Sequence, residues 1–486
     1  MTQRPGHATA MPEAGTVEEG AALFRALEER RREAPGALAI HDFDRDLILD
    51  RDALARHIDE AAAVLRAGGA ALAPGARIGL QVANSVELVA AIFACWREGW
   101  IPAPIDRELA DVEVGAIQAR LGLATVRRGV GLAEPPIEAE NGRPLAPQVP
   151  ALPVGTALLK LTSGSTGEPR GVALTAAALR SGGRQILATM GIGAGDRNLV
   201  TIPLTHSYGF DNVVLALALA GTAALLTADL TPLRLLRVAR EGGATVLPSV
   251  PFLLDLLSRS SAGGDLPSLR LVISAGAPLP RETRERFAAS FGVRPHTFYG
   301  STECGGITFD REAVATLPEG CVGSPLDGVA VELLDAEDGV GRIGVRSPSV
   351  AASHVPAAPD DPEPGLRDGR FIAPDVGRID DAGRLHLLGR ALDVINVGGR
   401  KVYPAEVERV IRSVPGVRDV VVLGVERSAV AAALRAVVEA GPEVDRESVV
   451  RACESGLARY KIPRSIELRA ELPRTGRGKV DRRSLG

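Results

Sequence analysis

At 486 residues the chain is longer than a single hydrophobic core usually holds, so two or three structural units are expected. Charged residues make up 24% and the formal net charge is −4, a balance that argues against a polyanion such as nucleic acid and favours a small-molecule partner. Cys95, Cys304, Cys321 and Cys453 lie far apart with no CxxC pair, which argues against a zinc site and a secreted disulfide framework and points to a reducing cytoplasm.

The stretch from Met1 to about Thr16 has no basic start followed by an apolar run, so no secretory signal is expected. An amphipathic helix is predicted from Glu18 to Glu33. Short apolar strands then alternate with helical segments, as at Arg77 to Val82 followed by Ser85 to Glu98. The apolar run Val213 to Leu226, interrupted by Gly221, is too short to span a membrane and is predicted to form a buried helix and strand. Further strands are expected at Asn198 to Ile202, Ala244 to Leu247 and Leu269 to Ser274. This alternation implies an α/β fold of helix-covered parallel sheets. Pro, Asp and Gly concentrate between Pro356 and Gly369, marking an exposed loop, and Gly383 to Leu388 reads as a hairpin strand. Beyond Arg390 a smaller unit is expected, with helices at Pro404 to Val414 and Glu447 to Arg459 and a strand at Asp419 to Leu423. The expected domains are therefore 1–390 and a small, mobile α+β unit at 391–486.

The most informative segment is Leu161 to Gly171, which follows a predicted strand from Ala157 to Leu161. Thr162, Ser163, Ser165 and Thr166 supply hydroxyls, and Gly164 and Gly167 permit tight turns that aim N–H groups at phosphate oxygens. Read alone, it is either a phosphate loop or a flexible Ser/Gly surface loop. It lacks the GxxxxGK[ST] order of a Walker loop. Four further blocks follow: Pro203 to Gly209 around His206, Ser274 to Leu279, Tyr299 to Glu303, and Pro473 to Arg482 around Lys479.

Together these blocks resemble, in order and spacing, those of the adenylate-forming superfamily of acyl-CoA synthetases, luciferases and peptide-synthetase adenylation domains. The resemblance runs from about residue 20 to the end. It implies that Thr162, Ser163, Gly164, Ser165, Thr166, Gly167 and Arg170 bind ATP phosphates, with Arg170 standing where Lys is frequent. A planar guanidinium keeps that charge but differs from ammonium in reach and hydration. The same resemblance gives His206 a place where ATP and acyl sites meet. It sets Gly276, Ala277 and Pro278 against one face of adenine and stacks Tyr299 on it, with Gly300 and Ser301 alongside. Thr302 would reach the phosphate and Glu303 would hold Mg²⁺, a hard ion that takes oxygen ligands. Gly300 occupies a place where acetate-using members carry Trp, so medium-chain, long-chain or aromatic acids are expected.

Asp375 and Arg390 match the family's ribose-binding pair, although Ala373-Pro374-Asp375 replaces the usual Thr-Gly-Asp. Lys479, on a basic, Gly-rich tail, matches the catalytic lysine that offsets charge as pyrophosphate leaves. The resemblance also implies rotation of the small domain, with Gly398 to Lys401 lining the thiol tunnel. Leu392 stands where many members carry an Asp or Lys hinge residue. The expected activity is ATP- and Mg²⁺-dependent conversion of a carboxylic acid to acyl-AMP, then transfer to coenzyme A. A free-standing ligase that loads a carrier protein's phosphopantetheine is the second reading. A non-catalytic nucleotide- or acyl-binding protein is the third.

Overall fold

The computed structural model describes residues 15–67, 72–129, 134–137, 150–163, 169–260, 265–312, 317–318, 320–356, 365–367, 369–390, 395–397, 400–402, 404–428, 431–457, 459–474 and 480–485. Two compact units result. One comprises residues 1–332 and 344–372, and the other 333–343 and 373–486. The composition shift near 390 therefore lies inside the second unit, which also takes in the strands Arg370–Ile379, from residue 373 onward, and Leu385–Arg390.

The first unit is built on a nine-stranded sheet among the described residues. Its centre is parallel: Leu38–Asp42, Ala223–Leu226, Arg197–Leu199, Val246–Ser249, Leu271–Ser274 and Pro295–Ser301 lie side by side in that order. Antiparallel strands complete both edges, Leu47–Asp50 on one and Gly305–Phe309 followed by Ser324–Pro325 on the other. Central strands such as Leu271–Ser274 are buried along their whole length, because helices cover both faces. A second sheet sets Arg77–Gln81 between the parallel neighbours Ile101–Pro104 and Thr125–Arg128.

Why the intervening segments are helical is visible in Val86–Glu98. Ser85 caps its first turn by accepting from the Leu88 N–H, Gly99 ends it at φ 73°, and Val86 through Trp96 is buried apart from Glu87. Trp96 cannot bury its indole N–H unpaired, and Nε1 donates to the Ala157 carbonyl at 2.8 Å. That bond ties the core helix to the strand that leads into the hydroxyl-rich loop. The apolar Val213–Leu226 stretch folds as expected: a helical segment to Ala220, Gly221 at φ 71°, then the fully buried strand Ala223–Leu226. No helix among the described residues is long and apolar enough to cross a membrane.

The second unit carries Val417–Ser428 paired antiparallel with Ala431–Ala440, which in turn pairs in parallel with Ser465–Arg469. The helices Pro404–Arg412 and Arg446–Gly456 pack on this sheet through Val407, Ile411, Val449 and Cys453. Glu408 is buried there, and burial raises its carboxyl above the usual range even though it accepts from the Val422 N–H at 2.9 Å and Arg482 at 2.8 Å.

Candidate functional site

Thr156–Ser163 and Pro169–Thr175 form an antiparallel hairpin whose tip is the hydroxyl-rich loop. Gly164, Ser165, Thr166 and Gly167 lie outside the described residues, as does the side chain of Ser163. Below the tip, Thr162 stands opposite Arg170, and Ser353–Val355 adds a third strand. In this register Lys160, Val172 and His354 are direct neighbours, and residues opposite one another across an antiparallel pair share a face. One face therefore carries Thr162 and Arg170 in one row and Lys160 and His354 in the next.

Two carboxylates answer those bases. Glu303 sits in the turn between Pro295–Ser301 and Gly305–Phe309, and its Oε1 lies 3.4 Å from His354 Nε2. The Ser301 hydroxyl donates to its other oxygen, and its backbone carbonyl accepts from the Ala351 N–H at 2.7 Å. Burial opposes ionisation of Glu303, but the His354 and Ser301 hydrogen bonds prevail and hold its carboxyl below the usual range. The second carboxylate, Asp211, receives Lys160 Nζ at 2.7 Å, with both side chains less than 10% exposed. Neither Lys160 nor Asp211 stands out in the sequence, because a lysine in an apolar strand and an aspartate ahead of an apolar helix carry no spacing that links them. His354 is equally silent, since only the three-strand register brings it to Glu303.

The Tyr299–Glu303 block owes its shape to glycine. The pairing with Gly305–Phe309 shifts register between Tyr299 and Gly300, and a Cβ on Gly300 would stand 2.6 Å from the Gly305 carbonyl oxygen. Gly305 itself adopts φ 71°. Tyr299, Ser301 and Thr302 are half-buried and Gly300 is exposed, so the block faces outward at the end of its strand. Gly276, Ala277 and Pro278 emerge, also exposed, from the same end of the adjacent parallel strand, with Gly276 at φ 82°. In open α/β sheets the carboxyl ends of parallel strands are where ligands bind.

His206 is exposed and directly precedes the turn Ser207–Phe210. Asn84 clamps the segment ahead of it, donating to the Ile202 carbonyl at 3.0 Å and accepting from the Leu204 N–H at 2.8 Å. A Cβ on Gly209 would collide with the Pro203 carbonyl, which explains the glycine that ends this block. Tyr208 is held from the other side: its hydroxyl accepts from the Ser249 N–H at 3.1 Å and donates to the Ile273 carbonyl at 3.0 Å. The His206 turn is thus pinned to two strands of the main sheet. Burial drives the Tyr208 phenol far above its ordinary range, so it acts as a neutral tether.

In the second unit, Asp375 and Arg390 are direct cross-strand partners, half-buried and exposed respectively. A shift in register at Val376/Gly377 follows, where a Cβ on Gly377 would lie 2.6 Å from the His386 carbonyl oxygen. Asp380 closes this hairpin by accepting from the Arg384 N–H, Arg384 Nε and His386 Nε2, each at 2.9 Å. Lys479 lies outside the described residues, as do Gly398, Gly399 and Leu392. The ends of the Lys479 segment are anchored, because Arg474 and Val480 form a β-bridge and Arg474 donates to Glu439 at 3.0 Å.

Against known proteins, residues 27–127 and 126–353 match the family model described as AMP-binding enzyme. Residues 406–479 match the AMP-binding enzyme C-terminal domain. A feruloyl-CoA synthase from an Amycolatopsis species is 30% identical over 453 residues, which cover 88% of this chain and 91% of that protein. The long-chain-fatty-acid–CoA ligase FadD13 of Mycobacterium tuberculosis is 29% identical over 443 residues, covering 84% and 87%. Among solved structures, ATP-bound MatB from Rhodopseudomonas palustris superposes with a TM-score of 0.82 at 25% identity, covering 96% of this chain and 98% of that one. A Mycobacterium tuberculosis fatty acyl CoA synthetase gives 0.75 at 26% identity, covering 97% and 98%.

Proposed function

Because this chain belongs to the AMP-binding enzyme family, we propose that it joins a medium-chain, long-chain or aromatic carboxylic acid to AMP and then passes the acyl group to coenzyme A. It is an AMP-forming acid–thiol ligase. In the first step a carboxylate oxygen bonds to the α-phosphorus of ATP while the bond from that phosphorus to the bridging oxygen breaks and pyrophosphate leaves. In the second step the coenzyme A thiolate attacks the acyl carbon and AMP departs with the electron pair.

No protein nucleophile takes part, so the chain's contribution is positioning and charge. The observation that carries the reading is the convergence, at one end of the main sheet, of the exposed Gly276–Pro278 segment and the half-buried Tyr299–Thr302 segment with ionised Glu303 beside them. Tyr299 offers a ring and Gly276 to Pro278 a flat backbone for adenine. Asp375 and Arg390, side by side, suit two neighbouring ribose hydroxyls, one accepting and one donating. The hairpin tip with Thr162, Ser163, Gly164, Ser165, Thr166, Gly167 and Arg170 receives the phosphates, His206 orients the acid, and Thr302 contacts the α-phosphate. Glu303 offers the hard, ionised oxygen that Mg²⁺ requires; when bound, the ion screens phosphate charge. Lys479 neutralises charge on the departing pyrophosphate.

The test is pyrophosphate release from Mg-ATP across a panel of fatty and aromatic acids, with and without coenzyme A. Acid-dependent release and an acyl-CoA product are expected. Release that leads to thioester only with a carrier protein would move the acceptor to phosphopantetheine on protein, and no release with any acid would leave a nucleotide- or acyl-binding protein.

A further inference from the structure

We propose that Lys160 and Asp211 form a buried positioning pair that sets the phosphate hairpin against the His206 turn and the Thr302 turn; this rests on reading the chain as an adenylating enzyme. Lys160 lies two residues before Thr162 on the same face of the strand that runs into the hydroxyl-rich loop. Asp211 opens the π-helical turn Asp211–Leu215, directly after the Ser207–Phe210 turn that His206 begins. Wide turns of this kind are rare and concentrate at functional sites. Thr302, Gly305 and Ser349 line the same small cavity as Lys160 and Asp211. The hairpin and the π turn therefore meet in the ion pair, and the Thr302 turn lines the cavity beside it.

Packing alone does not ask for charge here. The neighbours on that face, Leu158, Val172 and Leu174, belong to the apolar core, and Lys160 Nζ lies 5.1 Å from the centre of the Phe210 ring. Taking both charges out of water costs several kcal/mol per ion, and apolar replacements of similar volume are frequently as stable or more so. What the charged pair supplies is direction. A 2.7 Å charge-assisted bond fixes the strand's register and height over the π turn far more narrowly than methyl contacts can. Lys160 touches no reacting atom in this scheme; it acts through Thr162, His206 and Thr302, which makes it a positioning residue.

The test compares the native protein with Lys160→Met, Asp211→Leu, the Lys160→Met/Asp211→Leu pair and, as a neutral hydrogen-bonding pair, Lys160→Gln/Asp211→Asn. Thermal unfolding, ATP affinity without acid, and kcat/KM for ATP in pyrophosphate release are measured on each. The single variants should unfold well below the native protein, because each strands one buried charge. Both pairs should unfold near the native temperature yet bind ATP more weakly and lose roughly tenfold to a hundredfold in kcat/KM for ATP, the range expected when reacting groups are misplaced by about an ångström. A pair that matches the native protein in stability, affinity and kcat/KM would overturn the proposal while leaving adenylation intact. Failure of both pairs to fold would make the charges a requirement of the fold and overturn it too. A native protein that neither binds ATP nor releases pyrophosphate would remove the adenylation reading itself.

Discussion

At the scale of single residues, the site is shaped as much by missing side chains as by present ones. Gly300 is enforced by the Gly305 carbonyl across the strand shift, so Gly300→Ala should displace the Tyr299–Glu303 turn. Overpacking of this kind costs about 1–3 kcal/mol, to be read from thermal unfolding, with a parallel loss of pyrophosphate release. Glu303→Gln keeps the shape but removes the ionised oxygen. It should weaken activation by Mg²⁺ and lower kcat/KM for ATP by on the order of a hundredfold, measured by titrating Mg²⁺ at fixed ATP. The residue types of this block, its order and its spacing were legible in the sequence. Its neighbours were not: His354, Ser349 and Ala351 reach Glu303 or Cys304 through strand pairing and loop geometry that no local pattern encodes.

At the scale of elements, the candidate blocks are held by anchors with no proposed chemical role of their own. Tyr208→Phe strands the buried Ser249 N–H and Ile273 carbonyl and should cost about 1–3 kcal/mol, measured by denaturant unfolding. Asp196 is a second anchor. It accepts from Arg270 Nε at 2.8 Å, Arg270 Nη2 at 2.6 Å, Thr245 at 2.7 Å and the Gly193 N–H at 2.9 Å, tying three strand entries together. Burial opposes its ionisation, but these bonds prevail and hold its carboxyl below the usual range. Its folded pKa is lower than its unfolded one, so its stabilisation is complete above about pH 4 and disappears as pH falls through the folded value. Asp196→Asn should flatten that part of the stability–pH curve, followed by unfolding at pH values from 5 down to 2. Strand and helix positions were legible from hydrophobic period, as at Arg77–Gln81 and Val86–Glu98. The π turn at Asp211–Leu215 was not, because its apolar residues also fit an ordinary buried helix.

At the scale of the whole molecule, the candidate site residues fall in two units. The first carries the phosphate hairpin, the His206 turn and the Tyr299–Glu303 turn, and the second carries Asp375, Arg390 and the Lys479 segment. Composition points to a boundary near 390, whereas backbone contacts assign residues 333–343 and 373–390 to the second unit. The difference has a physical origin: Arg370–Ile379 pairs with Leu385–Arg390, and Leu385–Arg390 packs against the helix Pro404–Arg412 beyond the compositional shift. Lys479→Ala should therefore impair acyl-AMP formation while leaving thioester formation from supplied acyl-AMP near native, which separates the two half-reactions by the residues they use.

The central claim is that this chain makes an acyl adenylate. The most direct measurement is to quench a single turnover with Mg-ATP and an active acid, without coenzyme A, and to weigh the bound small molecule by mass spectrometry. Native protein should yield the mixed anhydride of that acid with AMP, and Lys479→Ala should yield little. Finding unreacted ATP and acid in the native sample, for every acid that binds, would contradict the account.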